Sequence, residues 1–258
     1  MILQYKGIPV FYEDEGNGEV VVLLHGFLEN SSMWDNIKSQ LLKTHRVICV
    51  DLLGHGQTGC LGYIHTMPDM AQVVNTVLDH LGVENFKLIG HSMGGYVALA
   101  LAEISPKRVS GLCLMNSTYQ ADDVERKALR KRANKMVQTN FRNMVRMSFT
   151  NLFSSESLSS HKIELEKALN QALQTSLQGY IAAQEGMRVR TDKFEFFKNL
   201  KADKLIIIGL KDPVIDGKRI LSETKETKIV CEELLYGHMS HIENKSELSY
   251  LLMCFSEK

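Results

Sequence analysis

The sequence predicts an α/β fold, with a mostly parallel central sheet of about eight strands flanked by helices and interrupted by one helical insertion. Three observations predict it. Short apolar runs rich in β-branched residues recur along the chain, and segments with helical apolar spacing separate them. The alternation then stops between residues 116 and 203, where only helical patterns occur.

The chain opens with "ILQY", Gly7 and "IPVFYED", an alternating pattern that reads as a hairpin ended by the turn-rich "EGNGE". "VVVLLHG" follows as a continuous apolar run, as expected of a strand buried on both faces. "RVICVD" (46–51), "FKLIG" (86–90), "VSGLCLM" (109–115), "KLIIIGL" (204–210) and "KIVCEEL" (228–234) are of the same kind. "SSMWDNIKSQLLK" carries apolar residues at 33, 34, 37, 41 and 42, and "MPDMAQVVNTVLDHLG" repeats them at 70, 73, 74, 77, 78 and 81 before the stop at Gly82. Right-handed crossovers through such helices give a parallel sheet, with the opening hairpin as its antiparallel edge. The expected domains are a core of 1–116 and 204–258 and a helical unit of 117–203, itself patterned as helices near 122–152 and 157–187 around "SSESLSS".

A chain of 258 residues can bury a sizeable core without covalent staples. Its 30 basic and 30 acidic residues balance, which gives no reason to expect a nucleic acid or a membrane surface as partner. No apolar run reaches the ~20 residues of a membrane helix, and the N-terminus lacks a basic segment followed by an apolar one. The five cysteines have neither metal-knuckle nor redox-pair spacing, which suits a reducing, cytoplasmic setting. Nothing in the sequence bears on oligomeric state.

The chemistry centres on "GHSMGG". Gly90-His91-Ser92-Met93-Gly94 fits G-x-S-x-G, between an apolar strand and the helical "YVALALAEI". The turn is so sharp that the flanking positions have no room for a side chain; Gly90 and Gly94 meet that demand and Gly95 adds space. A serine hydroxyl is a poor nucleophile at neutral pH. It needs a base, a group to orient that base, and donors for the oxyanion that forms.

Nine histidines compete for the base. His45, His65, His80 and His161 lie in polar or helical surface contexts, and His91 adjoins the serine, where successive side chains point apart. His238, in "YGHMSHIE" just after the last strand, is the expected base. His241 is its competitor, read as a supporting or surface residue; the pair is spaced like metal ligands, but no third ligand lies nearby in sequence, so no metal is expected. The orienting acid is expected at Asp212, at the end of "KLIIIGL", while Asp216 lies further out, where a carboxylate commonly caps a helix. The order Ser, Asp, His agrees. Of the two oxyanion donors, one is the Met93 N–H. The other is the Phe27 N–H in "HGFLEN", with His25 bracing that loop by hydrogen bonds.

Together these segments resemble the α/β-hydrolase family over nearly the whole chain. "LLHGF" is similar to its oxyanion loop, "DLLGHGQT" (51–58) to its D-x-x-G-x-G-x-S segment with Thr58 in the serine place, "GLKDPV" to its acid loop and "GHMSHIE" to its base loop. The resemblance implies that residues 117–203 form a helical cap. It also implies that Ser92 replaces the aspartate of haloalkane dehalogenases and soluble epoxide hydrolases, and that Asn116 stands where some members keep the acid, which favours Asp212. Thioesterases, enol-lactonases, carbon–carbon bond hydrolases and menaquinone-pathway lyases share this core. The implied activity is a cofactor-free serine hydrolase acting on a small-molecule ester or thioester. The same site could serve a lyase or an acyltransferase, and a non-catalytic receptor could keep the fold.

Residues 125–146 carry eight Lys or Arg and one Glu. An apolar stripe at 129, 133, 136, 137, 141, 144 and 145 leaves most charges on the other side, as on a solvated face; a clamp for an anionic group is the alternative, with Arg142 and Arg146 closest to the stripe. Met136, Met144, Met147, Met187 and Met239 are candidates to line an adaptable pocket, or to fill the core.

Overall fold

The computed structural model describes residues 1–258. Its strands are β1 (Ile2–Tyr5), β2 (Ile8–Glu15), β3 (Glu19–Leu24), β4 (His45–Val50), β5 (Phe86–His91), β6 (Val109–Met115), β7 (Asp203–Gly209) and β8 (Val230–Leu234). They form one sheet in the order β1-β2-β4-β3-β5-β6-β7-β8. β1 and β2 pair antiparallel with each other, and β2 pairs antiparallel with β4; every other pairing is parallel. The strand order reverses at β3, which lies between β4 and β5, and open α/β sheets bind ligands beyond the carboxyl ends of strands at such a point.

The apolar runs are continuous because both faces of the sheet are covered. Val22 and Leu24 of β3, Ile48 and Val50 of β4 and Leu112 and Leu114 of β6 enter one core. Their alternates Val21, Leu23, Val47, Cys49, Cys113 and Met115 enter the other. α1 (Asp35–Leu41), which follows a single 3-10 turn (Ser31–Trp34), packs Ile37 and Leu41 on the second face. α2 (Met67–His80) and α3 (Met93–Ile104) cover the first, with Met70, Val74, Val77, Val97 and Leu101 inward. α2 starts on a capping box, in which Thr66 Oγ1 accepts the Asp69 N–H and the Asp69 carboxylate accepts the Thr66 N–H.

Between β6 and β7 the chain runs through α4 (Val124–Met136), α5 (Phe141–Thr150), α6 (Ser157–Ser160), α7 (Lys162–Ala172), α8 (Leu177–Arg188) and α9 (Phe194–Asn199). Each of the two long helical patterns is therefore broken. The first breaks at 137–140, and the second divides at His161 and again at 173–176. α10 (Gly217–Thr224), α11 (Ser240–Glu243) and α12 (Lys245–Ser256) complete the fold, and α12 returns to the second face through Leu248, Leu252 and Phe255. Asp216 caps α10 by accepting the Arg219 N–H, as expected of the outer carboxylate.

A third apolar cluster joins the inserted helices to two loops. Val137, Val145, Phe149, Leu169 and Tyr180 pack with Leu28, after β3, and with Met239 and Ile242, after β8. The insertion is thus seated on the carboxyl end of the sheet by its own core. No helix is long and apolar enough to cross a membrane.

Two of the surface histidines are buried. His45 accepts from Thr44 Oγ1 and donates to the Ser256 carbonyl, and His65 accepts the Leu61 N–H. Local polarity does not reveal this, because His45 is covered by the end of α12, 211 residues away in the chain, and His65 by its own loop, which folds back on the ring.

Candidate active site

The serine sits where the sequence places it. β5 ends at His91, α3 begins at Met93, and Ser92 between them has φ +50° and ψ −114°, a left-handed conformation that a side chain adopts only under strain. Close packing holds it there. A Cβ on Gly94 would meet the Leu24 carbonyl oxygen at 2.1 Å, so α3 can lie against β3 only through a glycine. The Ser92 N–H donates to the Met115 carbonyl, and Ser117 Oγ donates to the Ser92 carbonyl at 2.7 Å.

His238, expected as the base, follows β8 and lies with Nε2 2.9 Å from Ser92 Oγ. Its Nδ1–H donates to Asp212 Oδ2 at 2.8 Å, which fixes the tautomer and leaves Nε2 to accept from the serine hydroxyl. Asp212, expected as the acid, is held on its other oxygen by the Val214 and Ile215 N–H groups at 2.7 and 3.1 Å. Asn116 Nδ2 donates to Asp212 Oδ2 and to the Gly237 carbonyl, tying the acid loop to the base loop. Burial by itself would push the Asp212 carboxyl up, but His238 and these hydrogen bonds together hold it below the ordinary range.

Phe27, expected as one oxyanion donor, lines the same cavity as Ser92, and Met93, expected as the other, follows Ser92 at the start of α3. Gly26 packs close enough that a Cβ would lie 3.3 Å from Ser92 Cβ, which sets the adjoining Phe27 beside the serine. Neither the Phe27 nor the Met93 N–H donates to any acceptor of the protein. His25 braces the loop: its Nδ1–H donates to the Gly26 carbonyl and its Nε2 accepts the Leu52 N–H. The 51–58 segment is a second brace, with Asp51 accepting the Ser31 and Gln57 N–H groups and Thr58 Oγ1 the Phe11 N–H.

Sequence reasoning missed Glu29. It is buried behind the elbow, where Oε2 accepts the Gly26 N–H and the His91 Nδ1–H, each at 2.7 Å. His91 Nε2–H donates in turn to the His238 carbonyl at 3.0 Å. An ionised Glu29 on Nδ1 and a carbonyl on Nε2 are both acceptors, an arrangement that favours the imidazolium form of His91. Burial pushes its pKa down, but Glu29 more than compensates and it ends above the ordinary value. Burial likewise raises Glu29, and His91 outweighs it to bring the carboxyl down to about 2.

His241 is not a surface residue. It is buried with Nε2 3.6 Å from Glu29 Oε1, and burial brings it down to about 4. Glu29, His91 and His241 have ligating atoms within 4.8 Å of one another, so the group that forms around His241 leaves out His238 and draws on the loop after β3 and the end of β5. Glu29 Oε2 is already shared between Gly26 and His91, and the cluster is first a hydrogen-bond network. The signal in the sequence was an acidic residue directly after the apolar Phe27-Leu28 of "HGFLEN", in a loop already assigned to the site.

Ser92 and His238 open on a cavity of about 240 Å³ roofed by α4, α5 and α8. Of the candidate methionines, Met187 and Met239 line it; Met144 is buried under the inserted helices, and Met136 and Met147 are exposed. Arg142 and Arg146 are also exposed, and the arginines at the cavity are Arg126 and Arg130. A larger groove of about 720 Å³ lies at the amino ends of β7 and β8, and no serine or histidine borders it.

A mostly parallel sheet with a serine on a strand-to-helix elbow is the frame of one large class of α/β proteins. The model of the alpha/beta hydrolase fold matches residues 19–245, and the chain belongs to that family. An esterase from Thermogutta terrifontis superposes with a TM-score of 0.90 at 26% identity, over 98% of this chain and 94% of that one. The enol-lactonase of Burkholderia xenovorans LB400 superposes with a TM-score of 0.92 over both full chains, and at 20% identity it shares the fold. The chain is 27% identical over 248 residues to the dihydrolipoyllysine-residue acetyltransferase component of the acetoin cleaving system of Pseudomonas putida, 93% of this chain and 64% of that protein. It is 40% identical over 114 residues to the 2-hydroxy-6-oxononadienedioate/2-hydroxy-6-oxononatrienedioate hydrolase of Paraburkholderia phymatum, 42% of this chain and 40% of that protein. The chain thus spans less than two thirds of the length of these curated relatives.

Proposed function

We propose that the protein is a serine hydrolase that cleaves a carboxylic ester or thioester through an acyl-enzyme. The observation that carries this reading is the row of hydrogen bonds from Ser92 Oγ to His238 Nε2 and from His238 Nδ1 to a buried Asp212, at 2.9 and 2.8 Å. Ser92 Oγ attacks the acyl carbon while His238 Nε2 takes its proton. Asp212 stays ionised and stabilises the imidazolium that results. The Phe27 and Met93 N–H groups receive the developing oxyanion, each typically worth about 10²–10³ in rate. The C–O or C–S bond then breaks, and the alcohol or thiol leaves with the proton from His238. Water, deprotonated by the same imidazole, attacks the acyl-enzyme and releases the acid and free Ser92.

In this reading residues 117–203 act as a cap that excludes water from the cavity, and the substrate is a small molecule. Five free cysteines, two of them buried, support a reducing, cytoplasmic setting. A fluorophosphonate probe tests the mechanism. It should label the wild-type protein at Ser92 and leave Ser92→Ala unlabelled; folded wild-type protein that resists the probe would remove this reading.

A second reading keeps the site and changes the bond. The 40% identity to a stretch of a protein named as a hydrolase of a dienedioate favours carbon–carbon cleavage. Turnover of simple esters and acyl thioesters, set against turnover of a vinylogous diketone, separates the two.

A further inference from the structure

The mechanism leaves the α4 side of the cavity without a role, and that side is cationic. Arg126 and Arg130, four residues apart on α4, both line the cavity. Arg130 shares the buried Asp122 carboxylate with Arg190, whose Nη1 lies 2.6 Å from Asp122 Oδ1. Arg190 also stacks on the ring of Tyr96, another residue of the cavity wall, at 4.0 Å. Arg126 has no acidic partner. Its guanidinium makes one hydrogen bond, from Nη1 to the Val214 carbonyl at 2.8 Å, while the Asp123 carboxylate takes its backbone N–H. Three guanidinium groups therefore stand against one carboxylate. The only acidic side chain on the cavity itself, Glu29, is neutralised by His91. The rest of the wall is mainly apolar, as at Leu129, Phe149 and Met187.

The Arg126 guanidinium is half-buried on the cavity wall with most of its donors free of protein partners, and its planar fork suits a carboxylate. The geometry points to Arg126, flanked by Arg130, as the site for an ionised carboxylate at the end of the substrate away from the bond Ser92 attacks. The substrate class is then a short ester or thioester whose acyl chain ends in a second carboxylate. The cavity, about 240 Å³, is smaller than the ~300–1,000 Å³ of most ligand pockets, and it suits such a chain better than a nucleotide phosphate. The chemistry at Ser92 rests on the serine-hydrolase reading; the anion site does not.

The test sets the monoethyl esters of glutaric and adipic acid against ethyl valerate and ethyl hexanoate, with acid release followed at constant pH. Wild-type protein should favour the acid-ended esters in kcat/KM by about tenfold or more, mainly through KM. Arg126→Met should abolish that preference and Arg126→Lys retain part of it. Arg142→Met and Arg146→Met, both exposed on α5, should leave it unchanged. A wild-type preference for the neutral esters, or a ratio unmoved in Arg126→Met, overturns the assignment. Titration calorimetry needs no turnover. Ser92→Ala should bind monoethyl glutarate about tenfold more tightly than Ser92→Ala/Arg126→Met, and equal binding again overturns it. Protein that binds the monoester but is never acylated at Ser92 would sink the hydrolase reading and leave the anion site standing. Arg126→Gln serves if Arg126→Met does not fold.

Discussion

The carboxylate of Glu29 and the imidazole of His91 meet at 2.7 Å inside the protein, from positions 62 residues apart in the chain. Through this pair the loop after β3, the elbow after β5 and the loop after β8 are bound together. Glu29 holds the Gly26 N–H on one side, and His91 donates to the His238 carbonyl on the other. Neither of the two backbone groups so fixed takes part in the proposed chemistry itself, yet the Gly26 N–H adjoins Phe27 and the His238 carbonyl belongs to the residue that carries the base.

Glu29→Gln should therefore destabilise the fold and loosen the site together. Removing one member of a buried ion pair commonly costs about 3–5 kcal/mol, because the other is left uncompensated. Urea unfolding near neutral pH should show a loss of that order. In surviving folded protein kcat should fall more than KM rises, since the loops that carry Phe27 and His238 shift while the α4, α5 and α8 side of the cavity does not.

His238 and His241 should behave differently. His238→Ala removes the proton acceptor 2.9 Å from Ser92 and should lower kcat/KM by about 10⁴ or more. His241→Ala should cost far less activity, because its Nε2 faces Glu29 Oε1 and not the serine. Equal losses in the two variants would mean that the base is assigned wrongly.

At the elbow, Gly94→Ala should cost about 3 kcal/mol or prevent folding. The new methyl group would lie 2.1 Å from a backbone oxygen of β3, which cannot rotate away as a side chain would. Thermal melting of the purified variant measures it, and a melting temperature equal to wild type would contradict the packing described.

Acid should weaken the protein before its carboxylates titrate. Burial brings His241 down to about 4 and His55 down to about 3. Below about pH 6.5 the unfolded chain takes up protons at these two positions and the folded chain does not, so stability is lost as pH falls. His91 has the opposite sign: its pKa is raised, so its contribution is complete below 6.5 and fades as pH rises through the folded value. His241→Gln should flatten the stability profile between about pH 6.5 and 4, by up to about 1.4 kcal/mol per unit. An unchanged slope would mean that His241 is protonated in the fold.

Which elements exist was legible in the sequence because each strand needs apolar residues on both faces and each flanking helix on one. "VVVLL" and "KLIIIG" carry that demand residue by residue, and the boundaries agree within one or two positions. The inserted helices were less legible. Their apolar stripe serves a small separate core, and half-exposed positions such as Leu129 and Met136 imitate a buried face.

The sequence by itself determined the family frame, the elbow and the candidate residues Ser92, Asp212 and His238, because a sharp turn between strand and helix tolerates few residue types and the order of the loops follows the order of the strands. Only the tertiary structure decided that Glu29 binds His91, that His241 is buried, and that Arg126 and Arg130, not Arg142 and Arg146, reach the cavity. Those outcomes depend on where loops from distant strands converge and on how one helix is turned about its axis. Local periodicity constrains neither, since a charged residue looks the same in sequence whether it faces water or a partner brought in from elsewhere.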